Sequence, residues 1–199
     1  YSVAEVARLA SIAKAYGLPV HMDGARFANA IAATGASPAE MTWKSGVDAL
    51  SFGGTKNGLL GVEGVIFFDP KKAWEFELRR KRAGHLFSKH RFLSAQMDAY
   101  LTDDLWLELA RNANARAAQL VDGLRARGRS VLYRPAANLV FAQWDRATHE
   151  RLMAGGAHYY FWPHTAADDG PDDEVVACRL VANWSTSEQD VADFQGLLD

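Results

Sequence analysis

The sequence predicts an α/β fold: a mostly parallel sheet packed with helices, followed by a small α+β domain. Three observations carry this. Short apolar runs alternate with apolar stripes of helical period. Each early run ends at a turn, at Asp23-Gly24, Gly53-Gly54 and Asp69-Pro70. After about residue 104 the order changes to strand, helix, strand, strand, helix, which is the size and pattern of a small α+β unit. The chain therefore reads as a sheet-bearing part over 1–70, basic connecting helices over 71–103, and a small domain over 104–199.

Val3, Val6, Leu9, Ile12 and Ala13 form a helical stripe that stops at Gly17. Ser2 caps it, with Glu5 three residues on. Leu18 to Met22 reads as a short buried strand. A helix through Phe27, Ala30 and Ile31 ends at Gly35, and Ser37-Pro38-Ala39-Glu40 is a second capping box with proline at the first helical position. Val47–Phe52 and Val65–Phe68 are the next strands. Lys71 to Arg91 is basic and helical. A long helix starts at Asp103 or Asp104, carries Trp106, Leu109, Ala113, Ala117, Leu120 and Leu124 on one stripe, and stops at Gly128. Strands at Leu139–Gln143, His158–Trp162 and Val175–Ala182 and helices at Arg146–Met153 and Glu188–Leu198 complete the chain, with Ala167–Asp173 as an acidic loop.

Composition excludes several classes. A net charge of −2 gives no electrostatic footprint for nucleic acid or a membrane surface. Cys178 is the single cysteine, so no disulfide framework exists within these residues and a reducing, cytoplasmic setting is expected. No histidine pair at helical spacing has a third ligand nearby, so no metal site is expected. There is no apolar run of membrane-spanning length. The first residue is Tyr1 rather than Met, so the chain reads as cut from something longer.

Three features carry chemistry. One strand ends in an acid followed by an arginine, His21-Met22-Asp23-Gly24-Ala25-Arg26. Another ends in a glycine turn and a lysine, Gly53-Gly54-Thr55-Lys56-Asn57-Gly58. The third is Arg179 in the last strand. In open α/β sheets ligands bind outside the carboxyl ends of the strands, which is where Asp23 and Lys56 fall. An acid and an amine in one crevice make either a structural ion pair or Schiff-base chemistry with pyridoxal phosphate. Gly53–Gly58 is not a nucleoside-triphosphate loop, because it lacks the four-residue gap between glycines and the Gly-Lys-Ser/Thr ending.

HMDGARFANA (residues 21–30) followed by DALSFGGTKNG (48–58) resembles the low-specificity L-threonine aldolases, pyridoxal-phosphate enzymes of the aspartate-aminotransferase-like fold. LRRKRAGHLFSKHRFLSAQ (78–96) is similar to that family as well. The resemblance implies that 1–70 is the C-terminal half of the cofactor-binding large domain. It implies that Lys56 carries pyridoxal phosphate as a Schiff base, that Asp23 pairs with the pyridine nitrogen, and that Thr55 lies near the phosphate. Arg26 and Arg179 are implied to bind the substrate carboxylate. The match around Arg179 is looser, with Ala182-Asn183-Trp184 following it. The implied reaction is cleavage of L-threonine or L-allo-threonine to glycine and an aldehyde. A homo-oligomer, dimer or tetramer, is implied, with basic residues of the 81–89 stretch near an active site. The family's N-terminal part supplies a phosphate loop and a histidine stacked on the cofactor, so the resemblance also implies a longer protein.

Each residue has a plainer reading. Lys56 is otherwise a solvated loop lysine, Asp23 a helix cap, Arg26 a helix-surface side chain, and Arg179 an edge-strand residue paired with an acid of the 168–173 loop. His21 is expected to pack beside the sheet; His149, His158 and His164 show no partner in the sequence. Tyr159–Trp162 reads as a core strand. Two other functions stay open: another pyridoxal-phosphate enzyme of the same fold (a β-eliminating lyase, an aryl-serine aldolase or a racemase) and an inactive remnant.

Overall fold

The computed structural model describes residues 1–163 and 169–199. His164, and Ala167 and Asp168 of the expected acidic loop, lie outside them. The chain forms two compact units, Tyr1–Ala110 and Arg111–Asp199.

The first unit opens with helix α1 (Val3–Ala15), closed at its start by the Ser2–Glu5 box: the Glu5 carboxylate accepts from the Ser2 N–H at 2.7 Å. Val6 and Ala10 are its buried positions, while Leu9 and Ile12 of the same apolar stripe are about half exposed. Strand β1 (His21–Gly24) begins later than its apolar run, and Leu18 is exposed. Helix α2 (Phe27–Thr34) ends at Gly35 with φ of 67°, the left-handed conformation that glycine adopts without a Cβ penalty. The short helix α3 (Pro38–Met41) carries the Ser37–Glu40 box and leads to β2 (Ala49–Phe52).

β1 and β2 run parallel, with Asp23 beside Ser51. β3 (Gly64–Phe67) pairs with β2 in the antiparallel sense. The link between β2 and β3 holds only a 3-10 turn at Thr55–Asn57, too little for the crossover that a parallel partner needs. Helices α4 (Ala73–Arg82) and α5 (Arg91–Leu101) follow, and α4 has no buried residue, consistent with a solvated basic face. The core gathers Phe27, Leu50, Phe52, Tyr100 and Trp106, with the Phe27 and Trp106 rings stacked at 6.4 Å.

Helix α6 (Leu105–Ala126) contains the boundary between the units. In the second unit, β4 (Ser130–Val131), β5 (Leu139–Asp145), β6 (Tyr160–Trp162) and β7 (Val175–Val181) form an antiparallel sheet in the order β4-β5-β7-β6. The alternate residues Val140, Ala142, Trp144, Val176, Cys178 and Leu180 are buried, the period-two pattern of a sheet covered on one face. Leu120 and Leu124 of α6, Leu152 of α7 (Arg146–Ala154) and Val191 of α8 (Glu188–Gly196) cover it.

Two local expectations change here. Tyr160–Trp162 is an edge strand rather than a core one, and Tyr160 is 65% exposed. Arg179 lies on β7, which is paired on both sides, so it is not an edge-strand residue.

Candidate active site

The site in the first unit is built where β1 and β2 end side by side. The Asp23 carboxylate is exposed and accepts from the Ala25 N–H at 3.0 Å, a local turn that folds the chain back after the strand. Gly53 N–H donates to Gly24 O at 3.0 Å, extending the parallel pairing one residue past β2. The two turns touch so closely that side chains do not fit between them. A Cβ on Gly24 would lie 2.5 Å from Leu50 Cδ1 and Ser51 O, and one on Gly53 would lie 2.5 Å from Ala25 O. The turn carrying the acid and the turn carrying the lysine are thus held backbone to backbone.

Past Gly53 the chain makes the 3-10 turn that presents Lys56, whose side chain is exposed. Gly54 is also confined, since a Cβ there would meet Val62 O and Leu59 Cδ1 at 2.6 Å. Thr55 donates through both its N–H (3.1 Å) and its hydroxyl to Glu63. Asn57 is buried, and its side chain donates to Tyr100 Oη at 2.5 Å and to Trp106 O at 2.8 Å. Burial pushes the Tyr100 phenol up from its ordinary value, with the nearby Glu63 charge adding to this.

Arg26 is half-buried at the start of α2, three residues after Asp23. His21 is exposed rather than packed beside the sheet, and its Nε2 is hydrogen-bonded to Ser51 Oγ at 2.8 Å, on the face that carries Asp23. The structure thus gathers Asp23, Arg26, Thr55 and Lys56 at one end of one sheet. Arg179 belongs to the second unit. Its guanidinium lies over the Tyr160 ring at 5.6 Å, and its Nε is buried with no hydrogen-bond partner among the described residues. Among those residues no group of three or more His, Cys, Asp or Glu side chains could hold a metal ion, and no helix is long and apolar enough to cross a membrane.

Sequence reasoning missed Glu63 and Asn57. Glu63 sits in Gly61-Val62-Glu63-Gly64, an acid between glycines just before a strand, which was the available signal. Asn57 stands next to Lys56, but its partners lie 43 and 49 residues away and no local pattern marks them.

The sequence model of the beta-eliminating lyase family matches residues 1–147, a stretch that contains the whole Asp23–Lys56 arrangement. The chain belongs to the beta-eliminating lyase family. Its curated relatives include the low-specificity L-threonine aldolase of Pseudomonas aeruginosa, 41% identical over 195 residues, which cover 97% of this chain and 53% of that protein. The enzyme of the same name from a Pseudomonas species is 40% identical over the same shares. The chain therefore spans about half the length of the curated relatives it matches.

Among solved structures, the Leishmania major threonine aldolase superposes on this beta-eliminating lyase chain with a TM-score of 0.87 at 24% identity, covering 100% of this chain and 56% of that one. Serine palmitoyltransferase of Sphingomonas wittichii gives 0.62 at 17% identity, covering 97% and 49%. These likenesses show that the chain shares its α/β fold with both structures.

Proposed function

We propose that the complete protein cleaves L-threonine, L-allo-threonine and related β-hydroxy amino acids to glycine and an aldehyde, with pyridoxal phosphate carried on Lys56. The single observation behind this is the glycine-locked junction that sets Asp23 and Lys56 at the adjacent ends of two parallel strands. The residues fit the cofactor: an exposed amine, an exposed carboxylate on the neighbouring strand, and side-chain-free backbone between them.

When bound, pyridoxal phosphate supplies an aldehyde carbon for an amine and a cationic ring that accepts an electron pair from the substrate Cα. Lys56 would hold the cofactor through its amine. Asp23 would face the ring nitrogen and keep it protonated, because an adjacent negative charge favours the protonated form. Thr55, the residue before Lys56, would lie near the phosphate of the cofactor. Arg26 would orient the substrate by its carboxylate, which a guanidinium matches with two parallel hydrogen bonds, and Arg179 of the second unit is the other guanidinium proposed for that role. Arg179 supports this reading with a buried Nε that lacks a partner among the described residues. The proposed cleavage would separate Cα from Cβ, with a base taking the β-hydroxyl proton and an acid returning one to Cα, to give glycine and an aldehyde. The protein is proposed to act as a homo-oligomer in the cytoplasm.

The test is glycine and acetaldehyde release from L-threonine by the complete gene product. Release is expected to fall to background in Lys56→Ala; equal release by that variant rejects the proposal. The family description favours a second reading, β-elimination. Products separate the two: elimination yields a keto acid and ammonia, whereas cleavage of L-threonine or L-phenylserine yields glycine and an aldehyde.

A further inference from the structure

We infer that Glu63 is the positioning residue for Lys56, an assignment that rests on Lys56 being the cofactor lysine. Past Gly53, whose N–H still pairs with Gly24 O, the chain leaves the β2 ladder and makes only a single 3-10 turn, so the Gly54 and Thr55 amides have no strand partner. Glu63 meets that need. Its carboxylate accepts from the Gly54 N–H at 3.2 Å, the Thr55 N–H at 3.1 Å and the Thr55 hydroxyl. Three donors converging on one carboxyl group match an ionised carboxylate, which only accepts.

The sheet delivers Glu63 to this place. Phe52 pairs with Gly64 at the end of the β2–β3 ladder, so the residue before Gly64 emerges beside the turn that follows Phe52. On the far side of Lys56, Asn57 is tied to Tyr100 and Trp106. The residues just before and just after Lys56 are thereby fixed, while the lysine side chain itself stays exposed. A lysine has a long, flexible stem, so the position of its Cα decides where the amine can reach. Displacing a reacting group by about 1 Å costs on the order of 100-fold in rate. Glu63 touches neither of the proposed reacting groups in the structure; it acts through the backbone that carries Lys56.

The experiment compares the complete gene product with its Glu63→Gln, Glu63→Ala and Lys56→Ala variants. Amide hydrogen exchange across residues 53–57 is read first, in cofactor-free protein. Kinetics with L-threonine and the pH titration of the visible absorbance of the Lys56–pyridoxal phosphate adduct follow. In Glu63→Ala the Gly54 and Thr55 amides are expected to exchange about tenfold faster, kcat to fall about 100-fold with KM little changed, and the titration midpoint to move. Glu63→Gln, which keeps one acceptor oxygen, is expected between the two, and it decides the matter should Glu63→Ala fail to fold. Parent-like exchange at residues 53–57 in the folded variants overturns the inference, as does a parent-like kcat. If instead Lys56→Ala still cleaves L-threonine, the functional reading fails, and the exchange data still decide whether Glu63 holds the turn.

Discussion

The imidazole of His149 is fully buried in the second unit, with Nδ1 2.9 Å from Tyr159 Oη and Nε2 2.9 Å from the Val176 carbonyl. A carbonyl only accepts, so Nε2 carries the proton and Nδ1 accepts from the tyrosine hydroxyl, which satisfies a neutral ring. Burial is the main cause that lowers its pKa below the usual 6.5, with the hydrogen bond to Val176 opposing it. The folded state therefore takes up fewer protons than the unfolded chain below that value. Stability is expected to hold above about pH 6.5 and to fall as the pH drops below it. Urea unfolding between about pH 5 and 8 measures this, and a His149→Leu variant should lose that acid slope even if it is less stable at neutral pH. Cys178 shows the same physics with the opposite charge: burial pushes its thiol up to about 12. The native protein should then be inert to thiol reagents and react only on unfolding; fast labelling of native protein would contradict this. Neither environment was legible in the sequence, where His149 has no visible partner, because its partners lie 10 and 27 positions away.

At the scale of elements, the junction of β1 and β2 is the most constrained backbone in the proposed site. Gly53→Ala would press a methyl against Ala25 O, so it is expected to destabilise the fold by about 1–3 kcal/mol, read as a lower urea midpoint, and to weaken cofactor binding as the two turns part. An unchanged midpoint would show that the junction yields. The local parts of this architecture were readable because local signals encode them. The Ser2–Glu5 and Ser37–Glu40 boxes, and the glycines after α2 and α6, mark helix ends by chemistry within four residues. Strand pairing is different. The antiparallel β3, the two-residue β4 and the edge position of Tyr160–Trp162 depend on partners far along the chain. Apolar character alone does not separate an edge strand from a central one.

At the scale of the molecule, the chain is two compact units with separate apolar cores. Asp23, Arg26, Thr55 and Lys56 lie in the first unit, and Arg179 lies in the second. The motif order DGAR then GGTKNG was enough to expect the first group at one sheet end, because each motif closes a strand of the same sheet. What supports the lysine turn was not legible, since Glu63 reaches it through the β2–β3 register rather than through any spacing. The α1 stripe shows the same limit: its period is helical, yet Leu9 and Ile12 stand exposed, because a period tells which residues share a face and not what covers it. The central claim is that Lys56 carries the cofactor. Its most direct test is borohydride reduction of the complete gene product with pyridoxal phosphate, followed by peptide mapping. The pyridoxyl group is expected on Lys56 and absent from Lys56→Ala; a group fixed on another lysine, or on none, would contradict the account.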